Sequence, residues 1–369
     1  MMTFVANLQP HVPLPPGSDE FVVRPDSPGA EIVKWIRAQR SPLLVAGPTG
    51  VGKSTELAYA AEALKPFRTS CLIQLDRSLN MRRTTVDEML QLVARHVAST
   101  AVEELGLPLT PELHNAAKAE KSSCWSPATL AEMVINEVNR LSQRKPVTLL
   151  IDGLEKVHDA AMADLFFDAL TSLGKIAEIV VVIPWHAAFG PKSETIIAEQ
   201  ERLVQIRPVA VVGPDAQAGR RFLWNILSAR LGFEQGEAPS ISNPLGDEMP
   251  NLIHAALDAS CGIPRVFLQL IADAATYARL RGAAEFPLVR ADLDSAIADQ
   301  VDSFRRLFLP GDAGACLKAV GTDGREMDLN KKVRLMAHGI LIERIKESRP
   351  LLELHLLAQR VLEESGNHA

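Results

Sequence analysis

The run Gly47-Pro48-Thr49-Gly50-Val51-Gly52-Lys53-Ser54-Thr55 decides the reading of this chain. It fits G-x-x-x-x-G-K-[ST], the phosphate-binding loop. An apolar run precedes it (Leu43-Leu44-Val45-Ala46), and a helix-forming run follows (Glu56-Leu57-Ala58-Tyr59-Ala60-Ala61-Glu62-Ala63-Leu64). Glycines let the backbone curl closely around phosphates, and the turned N–H groups with the next helix N-terminus form an anion site. Gly47, Pro48, Thr49, Gly50, Val51, Gly52, Lys53, Ser54 and Thr55 are therefore the expected binding residues for a nucleoside triphosphate, ATP or ADP. Lys53 reaches the β- and γ-phosphates as a point charge. Ser54 offers Mg²⁺ a hard oxygen, and Thr55 contacts the α-phosphate.

Such a loop needs a second strand that ends in a carboxylate. Val147-Thr148-Leu149-Leu150-Ile151-Asp152 supplies it, a continuous apolar run of the kind that buried parallel strands show. Asp152 is the expected Mg²⁺-side carboxylate, and Glu155, just beyond the strand end, the acid that orients water. Further strands are expected at 71–75, 179–183 and 203–206, alternating with helices at 28–40, 84–99, 127–141, 159–173 and 193–201. Residues 103–126 read as an inserted irregular segment with some helix, broken by Gly106, Pro108 and Pro111. This alternation predicts an open α/β sheet.

Strand patterns stop near Asp215. Residues 216–231, 250–261, 264–281 and 290–308 read as helices. After Pro310-Gly311, two further helices (313–320 and 329–338) lead into strand-like runs at 340–345 and 351–354 around Glu347-Ser348-Arg349-Pro350, and a closing helix at 355–363. Helices followed by a small hairpin predict a winged helix-turn-helix.

Length and composition agree. The 369 residues allow two or three domains, 47% hydrophobic residues support real cores, and a net charge of −6 argues against a globally basic nucleic-acid binder. Cys71, Cys124, Cys261 and Cys316 stand far apart, without metal-type spacing, which fits a reducing, cytoplasmic setting. No stretch is apolar enough to span a membrane and no secretory signal is seen.

The Asp152-Gly153-Leu154-Glu155 box resembles the second carboxylate motif of STAND ATPases, signalling relatives of the AAA+ and origin-recognition ATPases. Typical AAA+ enzymes place Glu directly after Asp, where this chain has Gly153. Phe21-Val22-Val23-Arg24 is similar to the F-x-G-R lead-in motif of the family, with Val23 in place of Gly. Cys261-Gly262-Ile263-Pro264-Arg265 looks like the G-x-P motif of the helical lid. The resemblance covers residues 21–363 and implies an ASCE/AAA+-like P-loop NTPase sheet, then an α-helical lid and a winged helix. The implied domains are a flexible segment at 1–20, an ATPase core at 21–213, a lid at 214–309 and a winged helix at 310–369. It also implies site roles. Arg24 lies near the adenine, Pro264 packs on the base or ribose, and Arg265 reaches the γ-phosphate. The sensor position after the 179–183 strand holds Pro184-Trp185-His186, where a polar residue is usual. Arg202, just before the fifth strand, takes the place of an arginine finger, and Arg207 follows that strand.

Two functions follow from the resemblance. One is a switch that regulates a separate effector or sensor protein in defence or signalling, with nucleotide-dependent homo- or hetero-oligomers. No effector or sensor domain is expected within the chain outside residues 21–363, so residues 1–18 and 103–126 are the docking candidates. The other is a DNA-acting AAA+ ATPase, whose winged helix would use Asn330, Lys331, Lys332, Arg334, Arg344, Lys346 and Arg349. A small-molecule P-loop kinase fits less well, because of the long helical region and the Asp-Gly-Leu-Glu box.

Overall fold

The computed structural model describes residues 8, 17–18, 21–39, 41–119, 124–142, 145–157, 160–189, 202–232, 249–283 and 288–366. The expected helix at 193–201 and most of the N-terminal segment lie outside these residues. The chain divides into two compact units. One comprises Ser27–Ala46 and Lys53–Gln205, the other Met1–Asp26, Gly47–Gly52 and Ile206–Ala369.

The first unit is a five-stranded parallel sheet covered by helices. Its elements in chain order are α1 (Pro28–Arg37), β1 (Leu43–Ala46), α2 (Lys53–Leu64), β2 (Thr69–Gln74) and the short α3 (Leu75–Ser78). They continue with α4 (Val86–Ser99), α5 (Pro111–Lys118), α6 (Pro127–Leu141), β3 (Val147–Asp152), α7 (Ala160–Ser172), β4 (Glu178–Val182), α8 (Trp185–Phe189) and β5 (Arg202–Gln205). The strand order is β2-β3-β4-β1-β5, and every pair is parallel. The P-loop strand β1 is thus separated from the carboxylate strand β3 by β4. Helix cover explains the strand composition: all of β1 and β3 is buried, so neither strand alternates.

Local signals account for most of the boundaries. Thr85 caps α4 in a reciprocal capping box with Glu88, so the helix starts at Val86, two residues later than expected. The apolar stripe Met89, Val93 and Val97 of α4 joins Leu130, Val134 and Val138 of α6 in the core over the sheet. In the segment expected to be irregular, α5 forms, and the Gln91 side-chain amide donates to the carbonyls of Ala116, Ala117 and Ala119 at its C-terminal end. β2 begins earlier than its apolar run, because Thr69 and Ser70 already pair with Val147 and Thr148. β5 begins at Arg202 itself, paired with Leu43, not at Leu203.

The second unit carries the helical region: α9 (Ala216–Arg230), α10 (Met249–Ala259), α11 (Pro264–Leu280), α12 (Arg290–Arg305), α13 (Asp312–Ala319) and α14 (Leu329–Ala337). An antiparallel hairpin, β6 (Leu341–Lys346) and β7 (Arg349–Leu354), and α15 (Leu356–Gly366) complete it. Glu347 and Ser348 close the hairpin, both at positive φ (50° and 65°), as a two-residue turn that matches strand twist requires. Pro350 stands opposite Ile345 in a two-stranded sheet, where a missing N–H is tolerated. The helices expected as a lid and the segment expected as a winged helix pack on one another within this unit. Phe304 of α12 lies 4.6 Å from His355, and the Arg344 guanidinium donates to the carbonyls of Pro208, Val209 and Cys261.

Candidate nucleotide site

The chain runs from buried β1 through residues 47–52 into α2, the strand–loop–helix order that a phosphate loop requires. In the sheet unit, Lys53 and Ser54 open α2. Asp152 ends β3, and Glu155 sits on a tight 3-10 turn just beyond, Leu154–Lys156. The Ser54 hydroxyl lies beside Asp152 and favours its ionised form. Lys53 is buried, and its Nζ lies 3.9 Å from Glu155 Oε1. Asp152 is buried as well, and its Oδ1 and Glu155 Oε2 have no hydrogen-bond partner among the described residues.

Burial is the main influence on both acids and raises their pKa values. For Asp152 the Ser54 hydroxyl and the Lys53 charge pull the other way. For Glu155 Lys53 opposes the rise, and the Asp152 charge adds to it. Buried acceptors with open lone pairs suit a hard cation, so Ser54 and Asp152 fit Mg²⁺ by donor chemistry. Among the described residues, no group of three or more His, Cys, Asp or Glu could hold a metal ion by itself. Mg²⁺ at this place would take further oxygens from nucleotide and water, as it commonly does.

Trp185 and Arg202, also in the sheet unit, pack against aromatic rings. Trp185 is buried and stacks on Phe189, with centroids 4.6 Å apart. His186 follows it, and burial lowers its pKa against the opposing charge of Asp164. The Arg202 guanidinium lies 3.6 Å from the centroid of the Trp35 ring. Asp76, just past β2, was not singled out by its sequence context. It pairs with Lys156 and adds its charge to the field at Asp152. The only signal was an acid closing an apolar strand, and strand order was needed to give it meaning.

The loop residues Gly47–Gly52 belong to the second unit. There the buried Arg24 donates to Val51 O (2.9 Å) and to Arg207 O, and pairs with Asp26. The Arg265 N–H donates to Gly50 O (3.3 Å), and the Arg265 side chain packs so closely that a Cβ on Gly50 would lie 2.6 Å from Arg265 Cβ. Pro264 occupies the first turn of α11, where its missing N–H leaves no bond unmade. Thr49 N–H donates to Ala337 O at the end of α14 (3.0 Å). Arg24 and Arg265 thus touch the loop inside one unit, and Pro264 directly precedes Arg265.

Most cations of the proposed DNA-reading cluster are engaged internally. Arg334 donates to Leu307 O and Asp312, Lys331 pairs with Asp312 at 3.4 Å, and Lys332 donates to Asp323 O at 2.6 Å. Lys346 pairs with Glu353 at 2.7 Å, Arg344 faces three backbone carbonyls, and Arg207 pairs with Glu343 at 2.7 Å. Asn330 and Arg349 are exposed.

Comparison with known proteins agrees with this fold. The family model for the N-terminal region of nephrocystin 3 matches residues 29–182, from α1 through β4 and less than half of the chain. No curated protein matches the chain. Among solved structures, a Walker-type ATPase of Pyrococcus abyssi superposes with a TM-score of 0.56 at 12% identity, covering 95% of this chain and 98% of that one. The Drosophila origin recognition complex, solved bound to DNA, gives a TM-score of 0.44 at 14% identity, covering 97% of this chain and 90% of that one. Cdc6p of Pyrobaculum aerophilum gives 0.42 at 12% identity, covering 98% of each. The first likeness establishes a P-loop α/β fold with a helical C-terminal region, and the other two add nothing to it.

Proposed function

We propose that this chain is a Mg²⁺-dependent switch of the STAND/AAA+ kind that binds and hydrolyses ATP and regulates a separate effector or partner protein. One observation carries the reading. Inside the sheet unit, Lys53 and Ser54 at the start of α2 meet Asp152 and Glu155 at the end of β3, and two buried carboxylate oxygens there are left without partners. Buried acceptors are normally satisfied, and a pair left open beside the lysine and serine of a phosphate loop is available to a ligand. The Pyrococcus abyssi protein of like fold is a Walker-type ATPase, which supports the same chemistry here.

In this reading Lys53 holds phosphate charge, and Ser54 with Asp152 holds the metal. Bound Mg²⁺ would neutralise charge on the β- and γ-phosphates. Glu155, its pKa raised by burial, is suited to orient water and take its proton. Arg24 and Arg265 act on the loop: the first through Val51 O, the second through Gly50. Arg202, exposed at the start of β5 and held over the Trp35 ring, serves as a finger toward a neighbouring copy. The internal pairing of Lys331, Lys332, Arg334, Arg344 and Lys346 favours this switch over the DNA-acting alternative.

The experiment is ATP binding and turnover by the purified chain, with and without Mg²⁺, over a range of protein concentrations. Turnover is expected only with Mg²⁺, rising per chain as concentration favours assembly, and Lys53→Ala is expected to bind no ATP. Mg²⁺-independent turnover, or a Lys53→Ala protein that binds ATP normally, sinks the proposal. Turnover per chain that does not change with concentration removes the finger role of Arg202.

A further inference from the structure

Asp76 is an acid at the strand tips that the motifs leave without a role. The β2–β3 register sets Gln74 against Asp152, so the segments just past the two strand ends run side by side. There Gly153 meets Asp76. Gly153 has φ 98°, and a Cβ at this position would lie 3.0 Å from both the backbone N and the Oδ1 of Asp76. A side chain here would be strained in conformation and tight in space. The chain then enters the tight turn closed by Lys156 N–H to Gly153 O and Val157 N–H to Leu154 O, each 3.1 Å. Lys156 reaches across to the Asp76 carboxylate, while its neighbour Glu155 turns toward Lys53.

We propose that Asp76 is the positioning residue for Glu155: by seating Gly153 and holding Lys156, it sets the turn that aims Glu155 at the P-loop lysine. The assignment rests on the ATPase reading of the same site. Stability alone does not explain this pair. Lys156 is half exposed, with its side chain 52% accessible, and such ion pairs contribute little to folding. The placement also works against Asp152, whose ionisation is opposed by the Asp76 charge. What the pair supplies is geometry: adjacent residues of one turn are tied in different directions, Lys156 to β2 and Glu155 to α2. A loosened turn leaves nucleotide binding to Lys53 and Ser54 intact but misplaces the acid, and small misplacements of a catalytic group slow chemistry strongly.

The test is a double-mutant cycle with Asp76→Asn and Lys156→Met, measuring ATP turnover, affinity for a fluorescent ATP analogue, and melting without nucleotide. Each single variant is expected to lower kcat about tenfold with affinity within about twofold. The double variant is expected to be no worse than either single, because both remove one contact. Turnover of Asp76→Asn equal to that of the unaltered chain overturns the assignment. So does an additive, about hundredfold loss in the double variant, or a loss of affinity that parallels the loss of turnover. If Asp76→Asn melts early, Lys156→Met reads the same contact from its exposed end. An unaltered chain that turns over no ATP brings down the ATPase reading itself, a result distinct from any of these.

Discussion

Buried charge is treated differently in the two units. In the sheet unit, one carboxylate oxygen each of Asp152 and Glu155 is buried and left open, and burial raises the pKa values of both acids. In the unit with the helices and the hairpin, buried or half-buried cations are matched to carbonyls and acids of their own surroundings. Arg24 serves Val51 and Arg207, Arg344 serves Pro208, Val209 and Cys261, and Arg334 serves Leu307 and Asp312. An unsatisfied buried acceptor is costly, and Asp152 Oδ1 and Glu155 Oε2 differ from the others in the molecule, such as Asn225 Oδ1, in lying beside Lys53 and Ser54. A satisfied guanidinium is architecture. In the proposed reading the difference separates residues that act on nucleotide from residues that hold shape, although both kinds stand out as charged in the sequence.

The comparison breaks most visibly at Gly262. It lies in the motif that resembles a nucleotide-facing lid signature, yet its φ is 82° and a Cβ would collide with the Val209 carbonyl, while Val209 N–H donates to Gly262 O at 3.1 Å. Its role is close backbone packing. Gly262→Ala is expected to destabilise the protein by about 4 kcal/mol or more, lowering Tm by roughly 10 °C in a melting scan. An unchanged Tm with weakened ATP binding would return this glycine to the nucleotide site.

A smaller effect is expected at Arg344. Arg344→Met leaves three carbonyls without their donor, and a loss of about 3 kcal/mol in denaturant unfolding is predicted. Arg349→Ala, at an exposed position of the hairpin, is expected to change stability by less than about 0.5 kcal/mol. Neither variant is expected to alter retention of duplex DNA in a salt titration. Retention that weakens in Arg349→Ala, with a shallower salt slope, would instead favour the DNA-acting alternative.

Much of the fold was legible because its signals are local. β1, β3 and β4 are continuous apolar runs and the loop between β1 and α2 is a fixed pattern, whereas the start of α4 was expected at 84 because the Thr85–Glu88 capping box was not read. The hairpin was visible as apolar runs around Glu347-Ser348, though Pro350 obscured where β7 begins. Strand order was not legible, since nothing local places β4 between β1 and β3. For the same reason Asp76 went unassigned: its meeting with Gly153 and Lys156 depends on the β2–β3 register. The engagement of the cation cluster was not legible for another reason. A Lys or Arg reads the same in sequence whether it faces phosphate, solvent or a carbonyl of its own fold. Arg202 was expected just before the fifth strand and is its first residue, because an exposed edge-strand position accepts a long charged side chain that an apolar pattern does not count.

The central claim is that the open carboxylates of the sheet unit act on bound ATP, and Glu155→Gln tests it most directly. The amide keeps the shape of the side chain and removes its ability to take a proton. ATP affinity is expected to stay within about threefold, while Mg²⁺-dependent turnover falls about 10²–10⁴-fold. Turnover equal to that of the unaltered chain would contradict the account and remove Glu155 from its role.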